Sequence, residues 1–309
     1  MHGRGVAMTE EDRVTVTDCI HWATEQLDQA EVFFGHGTDN ALDEAAYLVL
    51  YALHLPPEVP PEVMSTVLST AEKRAIGKLV SQRIETCRPA AYLTGEAWFC
   101  GLKFYVDERV LIPRSPIAEL IEAGFVPWLP AGRPVQRLLD IGTGSGCIAI
   151  ACAYAFPGAR IDAVDLSPEA LKVAAMNVEG HGMQSRVFLR QSDLFSALAG
   201  QRYDLIVSNP PYVSHAEMAR LPAEYRHEPA TGLAAEDQGL QLVLGILQQA
   251  AEHLHEKGVL VVEVGNSRAA LEARLPEVPF VWLSFTHGGE GVFLLTAREL
   301  QRHQADFFR

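Results

Sequence analysis

The sequence predicts an α/β protein: a mostly parallel, seven-stranded sheet with a reversed hairpin at one edge, preceded by a small all-helical domain. Three observations carry this. Beyond about residue 115, short runs rich in Val, Ile and Leu alternate with helical stretches, as in a parallel sheet covered on both faces. Before about residue 95, apolar residues recur only at helical spacing. The last two strand-like runs, 281–285 and 291–295, are too close for a helical crossover and must run antiparallel to each other. At 309 residues the chain has room for about two domains on a prior of roughly 150 residues each.

From Val14 to about Leu93 the periodic residues are Cys19, Ile20, Trp22, Ala23 and Leu27, then Ala45, Ala46, Leu48, Val49 and Leu50, then Ile76, Leu79, Val80 and Ile84. Gly35-His36-Gly37-Thr38-Asp39-Asn40 and Pro56-Pro57 with Pro60-Pro61 break the pattern, and Ser69 with Glu72 reads as a capping box. Residues 98–113 are aromatic and β-branched around Gly101, which suggests a hairpin linking two domains. The expected division is therefore a helical domain over 1–95, a β-hairpin linker over 96–115 and an α/β domain over 116–309. Within the last, strands are expected at 137–141, 160–164, 186–190, 203–208, 258–264, 281–285 and 291–295, the final pair joined through His287-Gly288-Gly289-Glu290.

The formal charge of −14 argues against a nucleic acid or an anionic membrane as a partner held by the protein's own positive field. The acid is concentrated: residues 1–97 carry 15 acidic and 7 basic side chains, and Val14 to Glu72 holds ten Asp or Glu with no Lys or Arg. A partner of that face should be basic or neutral. Five scattered cysteines with no C-x-x-C pair point to a reducing, cytoplasmic setting and to no metal site. The longest apolar run, 147–156, is too short for a bilayer, and Thr9-Glu10-Glu11-Asp12 is unlike a signal peptide, so no export is expected.

The first sheet strand ends in Asp140-Ile141-Gly142-Thr143-Gly144-Ser145-Gly146, a glycine-rich turn opening a helix over 147–156. Glycine lets the backbone turn tightly and approach a ligand, and the helix start offers free N–H groups. A dinucleotide fingerprint requires a further glycine at 147, where Cys stands, so a pyrophosphate-binding site is disfavoured. Twenty-five residues past Asp140, at the end of the second strand, Asp165 stands where an acid accepts both hydroxyls of a ribose; capping of the next helix by Asp165, or by Ser167 before Pro168, is the competing role. Asp193, followed by Leu194 after the third strand, is placed to accept from an adenine amino group, or simply to cap a turn.

The fourth strand runs into Asn209-Pro210-Pro211-Tyr212. Two prolines hold the backbone extended without N–H donors, so the loop presents rigid acceptors. The Asn209 side chain and the Pro210 carbonyl suit the two hydrogens of a planar NH2 group, whose π-face would lie against Tyr212.

Asp140-x-Gly-x-Gly-x-Gly, Asp165 and Asn209-Pro-Pro-Tyr212 resemble the class I S-adenosylmethionine-dependent methyltransferases acting on amino or amide nitrogens, whose fold is a Rossmann-like seven-stranded sheet. Tyr92-Leu93-Thr94-Gly95, the hairpin and Arg226-His227-Glu228-Pro229 extend the resemblance to the protein-glutamine methyltransferases, over essentially the whole chain. Phe34-Gly35-His36-Gly37-Thr38-Asp39-Asn40 and Trp98-Phe99-Cys100-Gly101 are most similar to the branch acting on large-subunit ribosomal protein L-three. Pro113-Arg114-Ser115-Pro116-Ile117-Ala118-Glu119 departs from the Pro-Arg-Pro-Glu-Thr-Glu usual in the release-factor branch. The resemblance implies S-adenosylmethionine held by Asp140, Gly142, Thr143, Gly144, Ser145, Gly146, Asp165, Asp193, Leu194 and Asn209. It implies a glutamine amide received by Asn209, Pro210, Pro211 and Tyr212, with Asn209, Pro210 and Tyr212 catalytic.

An amide nitrogen is a poor nucleophile, so such a site works by positioning more than by base strength. No general base is required, and none is nominated. DNA adenine methylation has similar geometry at the acceptor but requires a basic groove, the opposite of residues 1–97. A non-catalytic binding module is argued against by the coexistence of glycine loop, ribose acid and tetrapeptide. His36, His227 and Glu228 are weaker candidates, His287 is expected in solvent, and Cys147 and Cys152 in the core.

Overall fold

A computed structural model describes residues 14–129, 134–233 and 237–308; the acidic Thr9 to Asp12 stretch lies outside them. The chain forms two compact units, one comprising residues up to Gly95 together with Pro222–His227, the other Glu96–Leu221 and the residues from Glu228 onward.

The first unit contains α1 (Val16–Gln29), α2 (Ala41–Ala52), α3 (Pro61–Met64), α4 (Thr70–Thr86) and α5 (Ala90–Thr94). Their starts follow local chemistry. Thr15 with Asp18 and Ser69 with Glu72 form capping boxes on α1 and α4, and Asn40 accepts the Asp43 N–H at the head of α2. Val16, Cys19, Ile20, Ala23 and Leu27 of α1 share a core with Ala45 and Val49 of α2 and with Ile76 and Val80 of α4. One cation is sealed into this unit. Arg83, 1% exposed, donates to Glu44 at 2.7 Å, to Glu224 at 3.3 Å and to the Phe33 carbonyl at 2.8 Å. Glu224, on the 3-10 helix Ala223–His227, also accepts the Phe33 N–H, so this segment joins the helical unit although it lies more than 120 residues beyond α5.

The second unit begins with a hairpin of β1 (Glu96–Phe99) and β2 (Leu102–Tyr105), turned by Cys100 and Gly101, both at positive φ, the geometry of a two-residue type I′ turn. It continues through α6 (Ile117–Glu122), β3 (Arg137–Ile141), α7 (Cys147–Ala155), β4 (Arg160–Asp165), α8 (Pro168–Gly180), β5 (Val187–Gln191), β6 (Tyr203–Ser208) and α9 (His215–Met218). Next come α10 (Ala230–Leu233), α11 (Gln241–Ala250), β7 (Leu254–Glu263), α12 (Arg268–Arg274), β8 (Val281–Trp282), β9 (Val292–Thr296) and α13 (Ala297–Arg302).

Seven strands form one sheet in the order β5-β4-β3-β6-β7-β9-β8. The pairs from β5 to β7 are parallel, while β9 runs antiparallel to both β7 and β8. The expected α/β class and reversed edge hairpin are what the structure has. The β8 run expected over 281–285 is only two residues long, Val281–Trp282, with the Leu283 N–H still donating to the Val292 carbonyl of β9 beyond it. Strand order reverses between β3 and β6, and the crevice beyond the carboxyl ends at such a point is where open α/β sheets bind ligands.

One face of the sheet packs with α6, α7 and α8, the other with α11, α12 and α13. Every residue of α7 from Cys147 to Ala153 is buried, including Cys152, which accounts for its apolar character all round. Residues 96–115, expected as a separate linker, belong to this second unit. The physical reason is a buried amide: Asn177 of α8 accepts the Tyr105 N–H at 2.7 Å, and its NH2 donates to the Tyr105 carbonyl at 2.9 Å and to the Ser145 carbonyl at 2.8 Å.

Candidate active site

At the end of β3 the glycine loop takes three residues into the left-handed region, Gly142, Gly144 and Gly146, at φ +72°, +54° and +82°. Their roles differ. The N–H groups of Gly142 and Thr143 both donate to the Val164 carbonyl of β4, which folds the loop over its neighbouring strand. Gly144 faces open space within 4 Å of where a Cβ would stand. Gly146 caps α7, and a Cβ there would meet Ala174 of α8 at 3.4 Å, so its bareness serves helix packing.

Asp140 is fully buried beneath the loop. Its Oδ2 accepts from the Thr143 hydroxyl at 2.6 Å and from the Ala149 N–H at 3.2 Å, while Oδ1 has no hydrogen-bond partner among the described residues. Burial pushes its carboxyl up to about 7, against the pull of those two hydrogen bonds. Asp165, the last residue of β4, accepts the Gly144 N–H at 2.9 Å on one oxygen and the Ser167 N–H at 2.9 Å on the other. Burial raises its carboxyl, and those N–H groups oppose the rise. Capping of α8 falls to Ser167, whose hydroxyl accepts the Ala170 N–H, so Asp165 is not the cap of that helix.

Asp193 is exposed just past β5, with no side-chain partner among the described residues; Leu194 beside it has φ +46° and packs close to Gly245 of α11. The backbone of this turn is held by Ser192, whose N–H donates to the Asp165 carbonyl. Glycine loop, Asp165 and Asp193 thus line successive strand ends of one sheet.

The tetrapeptide lies across the reversal point. Ser208 Oγ donates to the Ile141 carbonyl at 2.8 Å, and a Cβ on Gly142 would stand 3.9 Å from the Asn209 carbonyl, so the tetrapeptide borders the glycine loop. Pro210 is buried; Asn209 is half-buried, and its side-chain amide makes no hydrogen bond among the described residues. Tyr212 is held from several sides. Its hydroxyl donates to Glu263 at 3.0 Å, its carbonyl accepts from Ser267 at 3.0 Å, and a Cβ on Gly265 would fall 2.5 Å from its ring.

Four contributors to the site escaped the sequence reading: Glu263, Ser115, Gly265 and Asn177. Glu263 left a signal, being the one acid within the apolar run from Val259 to Val264, and it is the last residue of β7. Its second oxygen accepts from Ser115, and burial raises its carboxyl against the Ser115 and Tyr212 hydrogen bonds and the Arg114 charge. Arg114 pairs through both Nη atoms with buried Glu228, which also accepts the Ile112 N–H. The two segments singled out by resemblance, around Arg114 and around Glu228, are therefore bonded to each other. The other weak candidates make their contacts within the helical unit: the His36 ring lies 4.4 Å from Tyr225, and His227 bonds the Thr86 carbonyl. His287 is exposed, its N–H donated to Glu119.

A parallel sheet with this order, a glycine loop at the reversal point and Asn-Pro-Pro-Tyr on the neighbouring strand define a class I methyltransferase, and the methyltransferase small domain family matches residues 125–224. Two relatives narrow this further. The ribosomal protein uL3 glutamine methyltransferase of Bordetella pertussis is 49% identical over 286 residues, covering 93% of this chain and 96% of its own. The protein of the same name from Xanthomonas campestris pv. campestris is 51% identical over 291 residues, 94% of each chain. Among solved structures, the hMettl16 catalytic domain in complex with the MAT2A 3′UTR hairpin 6 shares the fold at 18% identity, with a TM-score of 0.50 over 78% of this chain and 87% of that one. The chain belongs to the ribosomal protein uL3 glutamine methyltransferase family.

Proposed function

We propose that this enzyme uses S-adenosylmethionine to methylate the side-chain amide nitrogen of a glutamine in large-subunit ribosomal protein uL3. The observation that carries the reading is the placement of Asn209 and Pro210, rigid acceptors with an unengaged side-chain amide, directly beside a glycine loop backed by Asp165. The relatives of about half identity supply the substrate.

The donor set fits the cofactor. Open space at Gly144, an acid with lone pairs to spare at Asp165 and an unpartnered Asp193 suit a ribose and an adenine amino group. Asp140, Gly142, Thr143, Ser145, Gly146, Leu194 and Asn209 complete the surroundings. When bound, the cofactor supplies a methyl group on a sulfonium. The chain's own residues do the rest: the Asn209 side-chain carbonyl and the Pro210 carbonyl accept the two amide hydrogens, and Pro211 stiffens the loop. Acceptance of both hydrogens increases electron density on the nitrogen and orients its lone pair, and Tyr212 offers its face to the flat amide. The transferred charge leaves with one amide proton, which passes to water.

The helical unit is read as the substrate-recognition domain. Ribosomal proteins are typically basic, and a stretch of ten acids without Lys or Arg attracts such a partner. The reaction is placed in the cytoplasm, where that substrate is made. The test is incubation of the enzyme and methyl-labelled cofactor with a lysate lacking this activity. Label in uL3 is expected; label confined to release factors or to DNA would overturn the substrate.

A further inference from the structure

We propose that Glu263 is a positioning residue for methyl transfer, fixing the Tyr212 ring and enriching its π-face in negative charge by accepting its hydroxyl. This rests on the proposed function, in which Tyr212 faces the amide.

A carboxylate that is 4% exposed inside an apolar strand is costly to bury, and packing alone needs no charge there. The site is built around that charge. Oε1 accepts the Tyr212 hydroxyl at 3.0 Å, Oε2 accepts the Ser115 hydroxyl, and the next charged group is Arg114, committed to Glu228. Two glycines make room for the ring. A Cβ on Gly265 would strike Tyr212 Cε2 at 2.5 Å, and one on Gly291 would strike the Gly265 backbone at 2.7 Å or less. With Ser267 holding the Tyr212 carbonyl, the ring has one place to be.

The chemistry gives this arrangement a use. As the amide nitrogen lone pair forms the new N–C bond and the C–S bond breaks, positive charge moves from sulfur to nitrogen, where it stays until one amide proton leaves for water. A ring whose hydroxyl donates to a carboxylate is more electron-rich than a phenol bonded to water, and its face stabilises that charge better. Glu263 touches none of the reacting atoms; its effect passes through Tyr212.

The experiment compares wild type, Glu263→Gln, Tyr212→Phe and the double variant with uL3 and S-adenosylmethionine. Glutamine keeps the size and one acceptor oxygen for the Tyr212 hydroxyl, its NH2 donating to Ser115 Oγ in place of the second acceptor, while removing the charge. Glu263→Gln is expected to lower kcat about tenfold, with KM for the cofactor and the melting temperature unchanged. The double variant should be no slower than Tyr212→Phe. Wild-type kcat in Glu263→Gln, or additive losses in the double variant, would overturn the proposal. A wild-type enzyme that fails on uL3 would overturn the substrate reading instead, and for that case a second measurement needs no turnover. The 13Cζ resonance of Tyr212, assigned with Tyr212→Phe, should move upfield in Glu263→Gln; an unmoved resonance would sink the carboxylate's influence on the ring.

Discussion

The Asp165 carboxylate accepts the Gly144 N–H at 2.9 Å, tying the acid at the end of β4 to the glycine loop at the end of β3. One side chain therefore shapes the loop and, in the proposed function, also receives the ribose. Asp165→Ala should weaken S-adenosylmethionine binding by about 10- to 100-fold, the loss of hydrogen bonds to a charged group at roughly 1.5–3 kcal/mol. Calorimetry measures this, and amide exchange at Gly144 should quicken in the same variant. An unchanged Kd would remove Asp165 from the cofactor site.

Asn209→Ala separates transfer from cofactor binding. Its amide makes no internal hydrogen bond among the described residues, so the fold should tolerate the change. We expect kcat to fall by about two orders of magnitude, as when a preorganised polar contact to the reacting group is deleted, with the cofactor Kd within about twofold of wild type. Full activity would refute the assignment of the tetrapeptide.

Asp140 gives stability a pH dependence of known sign. Burial lifts its carboxyl from the ordinary 3.8 to about 7, so the folded state binds a proton more tightly than the unfolded chain. Its contribution is intact below about pH 4, declines as pH rises toward 7 and is flat above. Asp140→Asn should match wild type in thermal melts near pH 4 and exceed it at pH 8, by on the order of a few kcal/mol. Parallel curves across that range would contradict burial of Asp140 as the origin of the effect.

Arg83→Met leaves Glu44 and Glu224 buried without their cation. Breaking a buried pair from one side costs about 3–5 kcal/mol. Urea unfolding should therefore show a lower midpoint, and protease should cut near Glu224 sooner than in wild type. A variant as stable as wild type would mean that water reaches the two carboxylates freely.

If the acidic helical unit attracts the substrate, KM for uL3 should rise as salt screens the field, while KM for the cofactor stays level. A KM for uL3 that is indifferent to salt would leave the charge of residues 14–72 to solubility alone.

Much of this was legible because it is local. Each sheet strand is a short apolar run, and the glycine loop, Asp165 and Asn209-Pro210-Pro211-Tyr212 lie at the carboxyl ends of such runs, where the alternation of strand and helix must place them together. The Ser69 capping box was readable for the same reason: donor and acceptor are three residues apart.

What escaped is joined across long separations. Ser115 meets Glu263 over 148 positions, Arg83 meets Glu224 over 141, and Asn177 reaches Tyr105 over 72. No periodicity encodes such pairs, because each side chain is satisfied only when distant elements dock.

By itself, the sequence determined the parallel sheet, the reversed edge and the setting of the glycine loop, Asp165 and Asn209-Pro210-Pro211-Tyr212 at the carboxyl ends of strands, since backbone propensity, glycine at positive φ and proline rigidity are properties of neighbouring residues. Tertiary structure alone decided how those groups are held: which carboxylate accepts the Tyr212 hydroxyl, that Asp165 braces Gly144, that the hairpin belongs to the α/β unit and that residues 222–227 belong to the helical one. A buried polar group must find its partner wherever packing brings one within reach, and that partner is fixed by the fold as a whole.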